Sequence, residues 1–181
     1  MTKLVLVILG CLLCQGIVSD ASAQDLAAKG NALAATLDKT KYKTKEKRGF
    51  KVELYLDVKN EPVVKPNIAD YSGIYSDDSS NHRLLLNISS DGRIMGSGYD
   101  GGIDGRRQNF TLEDTRIEGA VLTATKVYAN GRTEKVEAVF ADRTVRSGQN
   151  EKSVATVDKQ FGIGYVTNNG QWTSRVFLKR E

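Results

Sequence analysis

The stretch from Ile117 to Ala141 constrains the fold of this chain most, because it has the pattern of a long β-hairpin. Ala120 to Ala129 is rich in β-branched and aromatic side chains, which favour strands. The dipeptide Asn130-Gly131 follows, and it is typical of a type I′ turn, in which both central residues have positive φ. Arg132 to Ala141 then returns as the second strand. The hairpin predicts a domain of antiparallel strands joined by tight turns.

Similar signals recur on both sides of this hairpin. Phe50 to Val58 alternates apolar and polar residues, which predicts a strand with one buried face. From Asp70 onward, apolar or alternating runs are separated by turns such as Ser90-Asp91-Gly92. We expect roughly eight to ten strands in an all-β antiparallel meander that closes into a small β-barrel or forms a two-layer sandwich. Gly96 and Gly98 indicate a bulge, a barrel corner or the close approach of another backbone.

The N-terminus has the features of a secretory signal peptide. Lys3 leads into the apolar run Leu4 to Leu13, which is short for a membrane-spanning helix, and Ala21-Ser22-Ala23 fits an A-x-A cleavage pattern. We expect residues 1–23 to be removed and the protein to be exported to the periplasm or the extracellular space. The alternative is a lipoprotein anchored through Cys11. Both cysteines lie in the predicted signal peptide, so the mature domain is expected to depend on its own core.

Residues 24–49 are predicted to form an arm ahead of the barrel domain, which we place at residues 50–181. Asp25 is suited to cap a short helix that runs to about Leu37. Seven lysines and arginines then lie between Lys39 and Lys51, in a chain of net charge +4. As a strand, the alternating lysines would place like charges on one face, so repulsion favours a solvated basic linker.

One short region resembles a known group of barrels. Tyr71-Ser72-Gly73-Ile74-Tyr75, followed after an apolar strand by residues 91–99, is similar to the opening hairpin of avidin-type and lipocalin-type (calycin) proteins. Those families place a glycine beside an aromatic residue and return through a glycine-marked second strand. The resemblance implies a small exported barrel with a ligand-binding mouth. It implies no particular ligand, since avidin-type sites use several tryptophans and this chain has only Trp172.

The aromatic residues of the predicted strands are candidates for lining a ligand pocket. Barrels of about eight strands are either filled by their own side chains or hold one small ligand. Aromatic residues at alternating strand positions are more often core than ligand contacts. If a cavity exists, we expect it to be lined by Tyr71, Tyr75, Tyr99, Phe140, Tyr165 and Trp172.

No motif in the chain predicts a reaction or a cofactor. His82 is the only histidine and closely follows Asp77, Asp78 and two serines, but nearness in sequence is weak support for a catalytic triad, and a solvated loop is favoured. Asp100 and Asp104 lie in a glycine-rich loop and are weak candidates for calcium ligands. Without an EF-hand pattern, a plain hairpin loop is the commoner interpretation.

Three carboxylates lie on the central hairpin, at Glu118, Glu134 and Glu137. Paired carboxylates can hydrolyse glycosides. Lysine and arginine side chains nearby in sequence, including Lys126, explain them more simply as cross-strand ion pairs on the solvated face.

The basic segment is a candidate contact for an anionic surface, such as lipid headgroups or an acidic cell-wall polymer. Nucleic acid is not expected, because no series of stacking aromatic residues accompanies the cations. A solvated linker is the plainer interpretation. The residues that would make the contact are Lys41, Lys43, Lys45, Lys47 and Arg48.

Taken together, the sequence favours an exported, non-enzymatic β-barrel module that binds a small apolar ligand or a partner surface. One alternative is a carboxylate-based hydrolase, with or without a metal, built around Asp77, Asp78, Asp100 and Asp104. Another is a structural component of the cell envelope. The ligand, the strand order and the oligomeric state are left open by the sequence.

Overall fold

The computed structural model describes residues 12–47, 50–77, 81–101, 106–148, 154–168 and 172–180. Within them, side chains are described for residues 22–41, 54–77, 81–101, 106–148, 156–164 and 177–180. The described residues form one α-helix, a short 3-10 helix at Ile68–Tyr71 and ten strands. The α-helix and strands are α1 Leu12–Leu37, β1 Lys39–Lys47, β2 Phe50–Pro62, β3 Gly73–Ser76, β4 Arg83–Ile88, β5 Ile94–Gly101, β6 Arg107–Glu118, β7 Val121–Tyr128, β8 Thr133–Gly148, β9 Val154–Asn168 and β10 Trp172–Arg180.

Strands β3 to β10 form a closed, antiparallel, eight-stranded barrel. Each strand pairs with the next one along the chain, and β10 returns to β3, with Leu178 opposite Ser76 and Arg180 opposite Ile74. The predicted meander and its barrel closure are therefore confirmed, and the sandwich is not formed. Within the barrel, closure removes the open edges at which sheets aggregate.

The central hairpin is present, but its turn differs from the predicted type I′ form. Gly131 has a φ of 81°, whereas Asn130 is not among the residues with positive φ. The Gly131 N–H donates to the Tyr128 carbonyl, and the Tyr128 N–H donates to the Arg132 carbonyl, each at 2.9 Å. This is a three-residue loop with a single left-handed glycine. The Asn130 side chain stabilises it by accepting a hydrogen bond from the Arg132 N–H at 3.0 Å.

The glycines of β5 allow neighbouring groups to lie against its backbone. A Cβ on Gly98 would come within 2.0 Å of the Arg83 carbonyl oxygen and 2.7 Å of Phe110 Cζ. At Gly96 the added atom would meet the Leu112 side chain at 2.5 Å. Of the three predicted explanations, the close approach of another backbone is the one that Gly98 shows.

We expect Gly98→Ala to lower the free energy of unfolding by about 2 kcal/mol or more, because the new methyl overlaps a backbone carbonyl that cannot rotate away. Gly30→Ala is the matched control. Its Cβ would have its nearest contact at 3.6 Å, in a helix, where alanine is favoured over glycine by about 1 kcal/mol. Urea unfolding of both variants measures the difference, and equal stabilities would contradict this account of Gly98.

The lysine-rich segment is a strand, so the predicted solvated linker is wrong for Lys39–Lys47. This segment is β1, and it pairs with β2 along its whole length, with Lys39 opposite Val58 and Lys41 opposite Leu56. Like charges about 7 Å apart in water repel by only about 0.6 kcal/mol. A net gain of about 1 kcal/mol per ladder hydrogen bond exceeds that repulsion.

Asp38 fixes the point at which β1 joins β2. Its carboxylate accepts hydrogen bonds from the Asn60 N–H at 2.8 Å and from Lys59 Nζ at 2.9 Å. Burial alone would raise the pKa of Asp38, but the hydrogen bonds from Lys59 and Asn60 and the Lys59 charge hold it below its usual value. The residue that links α1 to β1 is thus tied to the partner strand, which sets the register.

Strand β8 is longer than the barrel needs, and its second half leaves the barrel. Residues 141–148 of β8 pair with β2 on one side and with β9 residues 154–162 on the other. We call the four-stranded layer made by β1, β2 and these two half-strands the projecting sheet. Within it, β1 pairs only with β2 among the described strands.

The C-terminal half of α1 packs on the outer face of the barrel. Ala34 and Leu37 are buried against Ala120 and Val139, and Leu37 covers Gly164, where a Cβ would meet its Cδ1 at 2.0 Å. The helix predicted from Asp25 is therefore present, although it begins earlier, at Leu12. Among the described residues, no helix combines the length and hydropathy needed to cross a membrane.

Candidate functional site

Three of the predicted pocket residues pack against one another where β6 turns into β7. The rings of Tyr71 and Phe140 are stacked, with centroids 3.9 Å apart, and Tyr75 lies tilted against Phe140. The Tyr71 hydroxyl donates to the Val63 carbonyl at 2.8 Å, and the Tyr75 hydroxyl donates to the Tyr71 carbonyl. Burial raises the pKa of both phenols. These side chains fill this end of the barrel, with their polar atoms paired internally.

The other predicted pocket residues are not brought to the same place. Tyr99 lies opposite Arg83 and Asn109 on the face of β5 that points away from the interior. The Arg107 guanidinium lies over the Tyr99 ring, with its Cζ 4.4 Å from the ring centroid. Tyr165 and Trp172 belong to β9 and β10, and their side chains lie outside the described set.

Among the described side chains, the space found within the barrel is small. A cavity of about 10 Å³ lies among Asp100, Phe110, Lys126, Phe177 and neighbouring apolar residues. That volume holds one water molecule at most, whereas pockets for small ligands measure about 300 to 1,000 Å³. The described side chains around this cavity therefore leave no room for such a ligand.

A polar cluster lies at the opposite end of the barrel, where β3 leads to β4, β5 to β6 and β7 to β8. We call this end the mouth, and the mouth cluster consists of His82, Asp100, Lys126, Tyr128 and Glu134. Asp100 is its centre: Lys126 Nζ and the Tyr128 hydroxyl reach Asp100 Oδ2 at 2.7 and 2.8 Å, and His82 Nδ1 reaches Oδ1 at 3.1 Å. The Tyr128 hydroxyl also lies 3.0 Å from Glu134 Oε2.

The charge of Lys126 is compensated within the barrel. Only 3% of Lys126 is exposed, and its ammonium lies 2.7 Å from Asp100 and 4.2 Å from the centre of the Phe110 ring. Burial alone would raise the pKa of Asp100, but the charge and hydrogen bond of Lys126, with hydrogen bonds from Tyr128 and His82, hold it below its usual value. Asp100 is therefore ionised at neutral pH.

His82 contacts both Asp100 and the backbone of Gly101. The imidazole Nδ1 lies 3.1 Å from Asp100 Oδ1 and 3.3 Å from the Gly101 backbone nitrogen, whose N–H points towards it. A protonated Nδ1 donates to the carboxylate, and an unprotonated Nδ1 accepts from Gly101, so the two contacts belong to different tautomers. The Tyr128 hydroxyl has one proton for its two carboxylate neighbours, and burial together with those carboxylates raises its pKa.

The position of Lys126 and Glu134 corrects a prediction. Both were expected to form cross-strand pairs on the solvated face, and they do oppose each other in β7 and β8, but they are 3% and 7% exposed. Lys126 shares its face with Leu122, Ala124 and Tyr128, so alternation along β7 was a signal for its burial. The other two carboxylates pair elsewhere, Glu118 with Arg116 and Glu137 with Lys29 of α1.

The described residues add no support to the catalytic and calcium hypotheses. Asp77 and His82 share two hydrogen bonds to the backbone: the Asp77 carboxylate accepts from the His82 N–H at 3.2 Å, and the Asp77 N–H donates to the His82 carbonyl at 3.4 Å. Asp78, the two serines before His82 and Asp104 lie outside the described residues. Among the residues that are described, no group of three or more potential ligands is placed to hold a metal ion. Calcium binding at Asp100 and Asp104 stays a prediction.

The basic candidates lie on the projecting sheet, away from the mouth cluster. Lys41, Lys43, Lys45 and Lys47 occupy alternate positions of β1, and Arg48 lies outside the described residues. Lys39 and Lys41 are exposed. Because β1 lies at the end of the strand order, the alternating lysines follow the edge of the projecting sheet.

Comparisons with known proteins found no match to this chain. No protein-family model matches it. No curated protein and no solved structure matches it either. Its function has to be inferred from its own residues and their geometry.

We expect Asp100→Asn to lower the free energy of unfolding by about 3 kcal/mol at pH 7, because it leaves the buried Lys126 charge uncompensated. Lys126→Met should lower the free energy of unfolding by a similar amount, because it leaves the charge of Asp100 uncompensated. The double variant removes both charges and should be more stable than either single variant. Urea unfolding of the four proteins measures the coupling energy, and additive effects would contradict a direct Asp100–Lys126 interaction.

The same variants predict a pH dependence. The folded-state pKa of Asp100 is below its unfolded value, near 3.8, so its stabilisation is complete above that value and is lost as the pH falls through the folded-state pKa. The stability gap between wild type and Asp100→Asn should be constant from about pH 5 to 7 and should shrink in more acidic solution. A stability gap that widens as the pH is lowered would contradict a lowered folded-state pKa of Asp100.

Proposed function

We propose that this protein is an exported, non-enzymatic β-barrel module that binds an anionic partner surface through the projecting sheet. The observation that carries the proposal is the edge strand β1, whose alternating lysines lie outside a barrel whose described side chains pack into a core. A ligand inside the barrel would need space beyond the cavity of about 10 Å³. A surface contact needs no such space.

The geometry of β1 suits contact with a flat anionic surface. Five lysines alternate from Lys39 to Lys47, and an antiparallel strand rises about 3.4 Å per residue, which spreads them along a straight line. Each cation near an anionic lipid surface contributes about 1 kcal/mol. Leu54 on the neighbouring strand is paired with Lys43 and is 39% exposed, and it adds apolar contact area to the sheet.

The mouth cluster supports a structural role for the carboxylates more than a catalytic one. Asp100 interacts with Lys126, Tyr128 and His82, and Glu134 with Tyr128 and Arg132. Groups held by internal partners in this way specify and rigidify a core. This is why we favour a binding module over a carboxylate-based hydrolase.

The surface contact predicts that Lys41→Gln/Lys43→Gln/Lys45→Gln weakens binding to vesicles that contain phosphatidylglycerol by roughly 100-fold, since each lysine contributes about 1 kcal/mol. Co-sedimentation of the full chain measures the partition coefficient. The matched control is Arg93→Gln/Arg116→Gln/Lys135→Gln, which removes three exposed charges from the barrel. All variants keep the same N-terminus, so its contribution cancels. Equal binding by the two triple variants would contradict the proposal.

Export predicts an intact mass that begins at Gln24 for protein recovered from outside the cytoplasm. The helix residues that contact the barrel, Lys29, Gly30, Leu33, Ala34 and Leu37, all follow the predicted cleavage site, and residues 22–25 are exposed. Cleavage after Ala23 would thus leave the docked part of α1 attached. A mass that retains Cys11 with an added lipid would support the anchored alternative, and an uncleaved chain confined to the cytoplasm would overturn export.

A further inference from the structure

The first half of β9 and the end of β10 diverge and leave an open cleft. The last paired residues of the two strands are Gly162 and Leu178. Beyond this point β10 continues along β3 to Arg180, whereas β9 residues 154–161 pair with β8 alone. Between the separated strands lies a cleft of about 360 Å³, lined by Lys159, Gln160, Phe161, Leu178, Lys179 and Arg180. This volume falls within the range of small-molecule sites.

The cleft carries positive charge. Lys159, Lys179 and Arg180 supply three cations to its lining. Lys179 Nζ donates to the Asp70 carbonyl, a neutral acceptor, at 3.0 Å, and Arg180 Nε donates to Ser76 Oγ at 2.6 Å. Among the described side chains, neither Lys159 nor Lys179 forms an ion pair with a carboxylate. The cleft can therefore accept an anion without first breaking an ion pair of either lysine.

The floor of the cleft is apolar and held in place. The Phe161 ring stacks on the buried Phe140 ring, with centroids 6.4 Å apart and planes 6° from parallel. Lys65 Nζ lies 4.9 Å and Lys179 Nζ 6.0 Å from the centre of the Phe161 ring. Leu178, which also lines the cleft, is buried. Cations around a supported aromatic ring offer a place for a negatively charged head beside an apolar body.

We propose that this cleft binds a small organic anion, with a phosphate or carboxylate head held by Lys159 and Lys179 and an apolar body in contact with Phe161. The site is separate from the lysines of β1 and goes beyond the surface contact proposed for that strand. It is also outside the barrel interior, so it does not require the packed core to open.

Phenyl phosphate is a suitable probe, because it joins an aromatic ring to a dianionic head. We expect its titration into the isotope-labelled full chain to give saturable shifts in the backbone amide NMR signals of residues 159–161 and 178–180. Benzyl alcohol, which lacks the charge, and inorganic phosphate, which lacks the ring, should each bind at least about fivefold more weakly, a difference of about 1 kcal/mol.

Lys159→Gln and Lys179→Gln should each weaken phenyl phosphate binding by roughly five- to tenfold, because each removes a charge-assisted contact. Lys135→Gln, at an exposed position of β8 near the mouth, is the matched control and should bind as wild type does. Lys159 makes no recorded hydrogen bond among the described residues, so its variant tests the site without a loss of internal contacts. The proposal is overturned by shifts that do not saturate, by equal binding of benzyl alcohol or inorganic phosphate, or by equal losses in Lys135→Gln.

The two proposals can fail independently. The β1 triple variant keeps every residue of the cleft and should bind phenyl phosphate with wild-type affinity. The Lys159→Gln variant keeps every lysine of β1 and should bind anionic vesicles within about twofold of wild type, since strand register places Lys159 on the face of the projecting sheet opposite to that of Lys39. If the β1 triple variant lost phenyl phosphate binding, the cleft would be overturned as a separate site.

Discussion

Phe140 is the residue at which the two parts of this molecule are joined. Its N–H donates to the Ala120 carbonyl beside β7 at 2.8 Å, and its carbonyl accepts from the Val63 N–H just beyond β2 at 2.9 Å. Strand β8 therefore changes neighbours at this residue, from β7 inside the barrel to β2 in the projecting sheet. The Phe140 ring is fully buried, stacked on Tyr71 and also on Phe161. One side chain thus supports the end of the barrel and the floor of the cleft.

The change of pairing partner at Phe140 explains why the features open to a partner lie outside the barrel and not in its interior. A closed eight-stranded barrel can be filled by its own side chains, and here large side chains such as Tyr71, Tyr75, Phe140 and Phe177 are fully buried. The extra length of β8 and β9 is left outside the barrel, where it forms half of the projecting sheet and one wall of the cleft. The features open to a partner follow from strands that are longer than the barrel needs.

Local patterns in the sequence are enough to predict most of the strands and the barrel closure. The hairpins of β4 with β5 and of β7 with β8 follow from alternation and from turn residues such as Gly92 and Gly131. The predicted position of Lys126 is the informative error. Period-2 alternation along β7 placed its side chain on the buried face, whereas its charge suggested the solvated face. The compensating Asp100 lies 26 residues away in sequence, and only the fold brings the two together.

The projecting sheet could not be predicted in the same way. Pairing of β2 with the end of β8 joins residues such as Tyr55 and Gly148, and no local pattern reports contacts over that separation. The stretch from Asp142 to Val157 is therefore less regular in its sequence pattern, although residues 142–148 and 154–157 are strand. For β1, the repulsion among lysines suggested a linker because the partner strand that compensates for it is not visible in the segment itself.

The central claim is that binding takes place on the projecting sheet and not at the barrel mouth. Hydrogen–deuterium exchange of the full chain, with and without phosphatidylglycerol vesicles, tests it most directly because it locates the contact on the chain. We expect slower amide exchange in residues 39–59 when vesicles are present, and unchanged exchange in residues 126–134 at the mouth. Protection confined to the mouth, with none in β1 and β2, would contradict this account.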